Sequence, residues 1–155
     1  MRQRRRPRLV FASALAFGLL LIIPVRPQAV TSDRLAAHAS WEMLLSMGDE
    51  LAGGGEIDSA LSTYRQALKF AATDAERAIV HLRLGQGLLA RGDVAQAINE
   101  LEAARSLANV AEGRVPRADI YTALEDAYRA AGNEDRAFAA ADERAKLPRS
   151  ERPDN

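Results

Sequence analysis

A short pattern occurs three times in this chain: GEIDSAL from Gly55, GDVAQAI from Gly92 and GNEDRAF from Gly132. Each copy is a glycine, a polar residue, and an alanine five positions after the glycine: Ala60, Ala97 and Ala137. The glycines are 37 and 40 residues apart. A period in that range belongs to repeated supersecondary units that bury their apolar faces only by stacking on one another. This feature restricts the chain more than any other, because every copy must have the same local shape and present the same face to the next.

The flanking residues identify the unit. Leu44, Met47, Gly48 and Leu51 precede Gly55; His81, Leu84, Gly85 and Leu88 precede Gly92; Tyr121, Leu124 and Tyr128 precede Gly132. Steps of three, four and seven place each set on one face of a helix. A second stripe follows each glycine: Ala60, Leu61, Tyr64, Ala67 and Leu68; then Ala97, Ile98, Leu101 and Ala104; then Ala137, Phe138, Ala141 and Ala145. Gly48, Gly85 and the alanines leave room for two helices to approach closely. The turn glycine supplies a backbone shape that residues with a β-carbon resist, and Asp93 is placed to cap the helix that follows. Thr73-Asp74-Ala75-Glu76 reads as a capping box, Pro116 as a first-turn proline, and Ser32 or Asp33 as the start of the first helix. The expectation is an all-α chain of six helices, at about 33–53, 57–71, 74–91, 94–109, 116–131 and 134–147. Arg91-Gly92-Asp93 is then a helix end, a turn and a cap, and not an adhesive tripeptide on a flexible loop.

On these residues the chain resembles the tetratricopeptide-repeat family, over Trp41–Asp74, Ala78–Ala111 and Ala118–Glu151. The third repeat departs from the pattern, with Glu125 at the glycine position and Arg144 at the later alanine. The usual closing proline is replaced by Ala72, Asn109 and Arg149. The resemblance implies a solenoid of three helical hairpins over 41–148. It also implies a concave face lined by the first helix of each hairpin: Glu42, Leu45 and Asp49; Leu82, Arg83, Gln86 and Leu89; Asp119, Thr122, Asp126 and Arg129. A mixed, acidic groove of this kind suits a basic or amphipathic peptide. The Lys/Asn/Arg set with which some such domains clamp a C-terminal carboxylate is missing, since Leu45 and Asp49 hold two of its places.

The N-terminus differs in character. MRQRRRPR precedes Leu9–Val25, 17 residues without a charge. A basic leader before an apolar run is a secretory signal or a membrane anchor. The run lies near the lower limit of ~17 residues for a spanning helix. Ala29 and the Ala37-His38-Ala39 segment are poor cleavage sites, so an uncleaved apolar helix ahead of the repeats is expected, within 1–30, with 31–40 leading into the first helix. The arginines would keep the N-terminus cytoplasmic and the body on the far side of an inner membrane, or secreted if cleavage occurs. Residues 1–26 hold six arginines and no acid, leaving 15 basic against 21 acidic groups, a net of −6, in the body. That body is a poor match for nucleic acid, which requires a basic patch. There is no cysteine, which removes disulfides, thiolate metal sites and a cysteine nucleophile.

No arrangement for catalysis stands out. His38 and His81 are the only histidines and have no metal-ligand spacing. His81 lies on an apolar stripe and reads as a packed side chain. Gly53-Gly54-Gly55 lacks the lysine of a phosphate loop. Glu100 with Glu102, and Asp142 with Glu143, read as solvated faces; Trp41, Tyr64, Tyr121 and Tyr128 read as core. No enzyme activity and no cofactor or metal are expected. After the last helix only a polar tail, 149–155, remains, so the alanine-rich face of 134–147 is expected to dock on something or stay marginal. The functional expectation is a protein-binding scaffold of the cell envelope. A fixed structural subunit of a membrane enzyme complex, held through 9–25, is the alternative.

Overall fold

The computed structural model describes residues 32–111 and 115–151. Six α-helices follow one another: α1 (Ser32–Gly53), α2 (Ile57–Phe70), α3 (Asp74–Arg91), α4 (Val94–Val110), α5 (Arg117–Ala130) and α6 (Glu134–Lys146). A 3-10 turn closes the described chain at Arg149–Glu151, and there is no strand among the described residues. The apolar run at 9–25 and Ala29 lie outside them. Ala37-His38-Ala39 falls within the backbone of α1.

The three glycine turns share one hydrogen-bond pattern. At the end of α3, the N–H of Asp93 donates to the Leu88 carbonyl (2.9 Å) and that of Gly92 to the Leu89 carbonyl (3.0 Å). The same pair recurs as Glu56 to Leu51 with Gly55 to Ala52, and as Asn133 to Tyr128 with Gly132 to Arg129. This is the Schellman closure, and it needs a left-handed residue at the glycine. Gly92 has φ of 93°, which a side chain would make costly. The repeat alanines follow directly. Ala60, Ala97 and Ala137 donate the first-turn hydrogen bonds of the second helices, to Glu56, Asp93 and Asn133, and all three are buried. A larger side chain there would push the hairpin open.

Each pair of helices joined by such a turn packs together, α1 on α2, α3 on α4 and α5 on α6. Successive pairs join through α2 on α3 and α4 on α5, and α3 also touches α1 and α5. The first helices thus lie side by side. Trp41, Leu61, Tyr64, Val80, Leu84 and Leu88 form one core cluster. Leu82, Leu101, Ile120, Tyr121, Leu124 and Tyr128 form the other. The hairpin contact in the first two pairs is glycine against a large side chain. A β-carbon on Gly85 would lie 2.5 Å from Leu101 Cγ, and one on Gly48 would run into the Tyr64 ring, 2.6 Å from Cδ1.

The third pair solves the same contact differently. Glu125 replaces the glycine, and Ala141 stands where Tyr64 and Leu101 stand in the earlier pairs. The volume has moved from the second helix to the first. Arg144, in place of Ala67 and Ala104, reaches back across the hairpin, with Nη2 3.2 Å from Glu125 Oε2 and Nη1 donating to Thr122 Oγ1 at 2.9 Å. The two departures from the repeat are therefore partners.

Several expectations need correction. Asp93 makes no side-chain cap; its carboxylate instead accepts from Arg91 Nε at 2.6 Å, and Arg91 also pairs with Asp58 of α2 at 2.8 Å. The Asp93 backbone, at φ −84° and ψ 60°, lacks the extended form in which a capping carboxylate reaches the N–H groups two and three residues on, so the carboxylate turns to the adjacent guanidinium instead. Thr73 and Glu76 do form the capping box, with Thr73 Oγ1 accepting from the Glu76 N–H at 3.2 Å. Pro116 precedes α5 as its N-cap rather than occupying the first turn. Phe138 is 77% exposed and Ala145 is also exposed, so neither belongs to the buried stripe. The counterparts of Phe138, Leu61 and Ile98, are buried and half-buried beneath a following pair of helices, and α6 has none after it among the described residues.

Candidate functional site

The expected groove residues all lie on α1, α3 and α5, and the fold brings part of the set together. Asp49 and Arg83 meet across α1 and α3, with Arg83 Nε 3.0 Å from Asp49 Oδ1. Tyr64 of α2 donates its hydroxyl to the same Asp49 oxygen at 2.7 Å, and Arg83 Nη1 donates to Gln86 Oε1 at 3.3 Å. These groups satisfy one another, and the Tyr64 pKa is raised, first by burial and then by the Asp49 hydrogen bond. Beside them is an open depression of about 340 Å³ that also reaches Ile57 and Ala90.

A second depression, about 220 Å³, lies between α3 and α5. Gln86 and Leu89 form one wall, and Asp119, Thr122 and Asp126 the other. Asp119 and Asp126 are exposed. Arg129 approaches Asp126 only at 3.5 Å and holds Glu125 more closely, at 2.7 Å. The floor carries the apolar surface of Leu89 and Ala123. This half of the face can take a cationic group with an apolar stem. Glu42 is exposed and Leu45 half-buried on α1.

Leu82 does not belong to this face. It is fully buried in the core. The cause is the central place of α3, which has neighbours in α1, α2, α4 and α5 and so has apolar contacts around most of its circumference.

Glu100 and Glu102 are not solvated as expected. Glu100 Oε2 lies 2.7 Å from His81 Nδ1. Glu102 accepts from the Tyr128 hydroxyl and from Arg105 Nε at 2.7 Å. The Tyr128 pKa is raised by burial and then by this bond. His81 is half-buried and paired, in keeping with a packed side chain. Asp142 and Glu143 are exposed and share Lys146, at 2.8 Å each.

Among the described residues no cluster of three or more His, Asp or Glu could hold a metal ion, and no helix is long and apolar enough to cross a membrane. A scan against protein-family models gives no match, and a search of curated proteins gives none.

Proposed function

We propose that the chain is a tetratricopeptide-like scaffold of the cell envelope, tethered by its N-terminal apolar segment, that holds a basic or amphipathic segment of another protein against α1, α3 and α5. The single observation that carries this reading is the contiguous face of first helices. Its α1–α3 half is neutralised by the Asp49–Arg83 pair, and its α3–α5 half keeps Asp119 and Asp126 around an apolar floor. Such a face suits helix or extended-peptide recognition, in which side-chain pockets give specificity. The partner's lysine or arginine would lay its stem on Leu89 and Ala123 and its charge between the two aspartates.

The test is capture of partners by the tagged full chain from membranes of its host in mild detergent. Wild type is compared with an Asp119→Arg, Asp126→Arg variant whose melting curve is unchanged. Loss of a specific partner in the variant supports the groove. Equal recovery of every partner by both removes it. The fixed-subunit alternative gains from the exposed Met43, Met47 and Phe138 at the two ends of the stack. It predicts a stoichiometric companion whose retention survives the double variant and high salt.

A further inference from the structure

The opposite face of the molecule carries a larger cavity, about 520 Å³, between α4 and α6. Its floor is formed by Tyr121, Leu124 and Tyr128 on α5, all largely buried in the core beneath it. The preceding pair of helices shows why it is open. There, Glu100 of α4 reaches across to His81 of α3 at 2.7 Å. In the third pair Tyr121 replaces His81 and Ala140 replaces Glu100, and Ala139 replaces Asn99 beside it. Two small residues on α6 line this space where the preceding unit carries Asn99 and the paired Glu100.

The charges at the rim are Glu102, Arg105, Arg136 and Glu143. Three of them are spoken for. Glu102 is held by Arg105 and the Tyr128 hydroxyl, and Glu143 by Lys146. Arg136 makes no ion pair among the described residues. Its guanidinium, on an exposed residue, lies 5.5 Å from the centre of the Tyr128 ring and also interacts with the Tyr128 hydroxyl, which keeps it at the rim. A guanidinium held at the rim by a tyrosine rather than by a carboxylate, beside an aromatic floor, is half of a recognition pair.

We propose that this cavity binds an apolar carboxylate. The hydrophobic part fills the space over Tyr121 and Leu124, and the carboxylate pairs with Arg136. A single carboxylate fits better than a phosphate, because a dianion would meet one free guanidinium together with the nearby Glu102 and Glu143. The same chemistry is offered by the C-terminus of a protein that ends in a large apolar residue and by a free carboxylic acid.

Titration calorimetry of the full chain in detergent would use three probes: a neutral peptide ending in phenylalanine with a free carboxylate, the same peptide as its C-terminal amide, and 3-phenylpropanoate. The free-acid peptide should bind at least about tenfold more tightly than the amide, the scale of one charged hydrogen-bond pair. Arg136→Gln should erase that difference without changing amide binding. Ala139→Leu, at an exposed wall position and with folding checked by melting, should block all three probes. Binding of 3-phenylpropanoate as tight as that of the peptide assigns a free acid as the ligand; binding of the peptide alone assigns a chain terminus. Equal affinity for acid and amide, no binding of any probe, or an unaltered preference in Arg136→Gln would each overturn the proposal.

Discussion

The close approach at Gly85 makes a quantitative prediction. Replacing glycine by alanine inside an exposed helix stabilises it by about 0.5–1 kcal/mol, because glycine loses more freedom on folding. At Gly85 the added methyl would lie 2.5 Å from Leu101 Cγ and 2.6 Å from Leu101 Cδ2. Carbon atoms in contact prefer about 3.5–4.0 Å, so Leu101 must retreat by roughly 1 Å. Leu101 is fully buried, and the Ala97 carbonyl is also close to the new methyl, at 3.4 Å. Overpacking of this kind costs about 1–3 kcal/mol and should exceed the helix gain, for a net loss near 1 kcal/mol. Leu101→Ala alone should cost about 2–5 kcal/mol, through lost burial and the space it leaves. The two changes must then couple, since the methyl of one enters the void of the other. In a Leu101→Ala background, Gly85→Ala should be neutral or stabilising, an interaction on the order of 1–2 kcal/mol in a double-mutant cycle. Urea unfolding followed by far-ultraviolet circular dichroism and by Trp41 fluorescence measures all four corners. If Gly85→Ala stabilises the otherwise unchanged protein, helices α3 and α4 are not in the contact described.

The remaining predictions concern the third pair of helices and the buried hydroxyls. Glu125→Ala and Arg144→Ala should each destabilise by about 1 kcal/mol, because the ion pair is half-buried rather than open to solvent, and the double variant should lose less than the sum in thermal melts. Amides of α6 should exchange with deuterium fastest among the six helices, since only Ala137 and Ala140 are buried on it and α5 is its main neighbour among the described residues; protection of α6 equal to that of α3 would contradict this. The raised tyrosine pKa values give a pH effect. The folded state keeps Tyr64 and Tyr128 protonated beyond the ordinary value of 10.0, so their contribution is complete below pH 10 and is lost as pH rises above it. Tyr64→Phe should make the decline of stability between pH 10 and 11 shallower, which denaturant titrations at fixed pH would show.

Much of the architecture was legible because it depends on local rules repeated three times. A glycine five residues before an alanine marks a left-handed turn and a crowded first helical turn, and both needs are visible in one short segment. The capping box at Thr73 is likewise contained within four residues. What could not be read depends on pairs far apart in the chain. Glu125 and Arg144 each look like a damaged repeat position when taken singly. They become a compensating pair only once α5 and α6 are folded together, 19 residues apart. Leu82 sits beside Arg83, and a one-residue step on a helix turns by about 100°; whether such a border position faces the groove or the core is decided by how many neighbours the helix has, and α3 has four.

The candidate sites follow the same division. The groove face was visible as a set of helix positions, but not its electrostatics, because the Asp49–Arg83 pair and the Tyr64 hydroxyl bond join three different helices. The acidic character expected of the groove is therefore lost at Asp49 and kept at Asp119 and Asp126 in its α3–α5 half. The cavity on the opposite face had a sequence signal in Ala139 and Ala140, which read only as an alanine-rich helix. Their small size has meaning by comparison with Asn99 and Glu100, one unit earlier, and with the change from His81 to Tyr121 beneath them. In a repeated fold the unit that breaks the pattern differs from its neighbours in volume and charge at equivalent places. Those differences, rather than the shared pattern, distinguish one face or cavity of the stack from another.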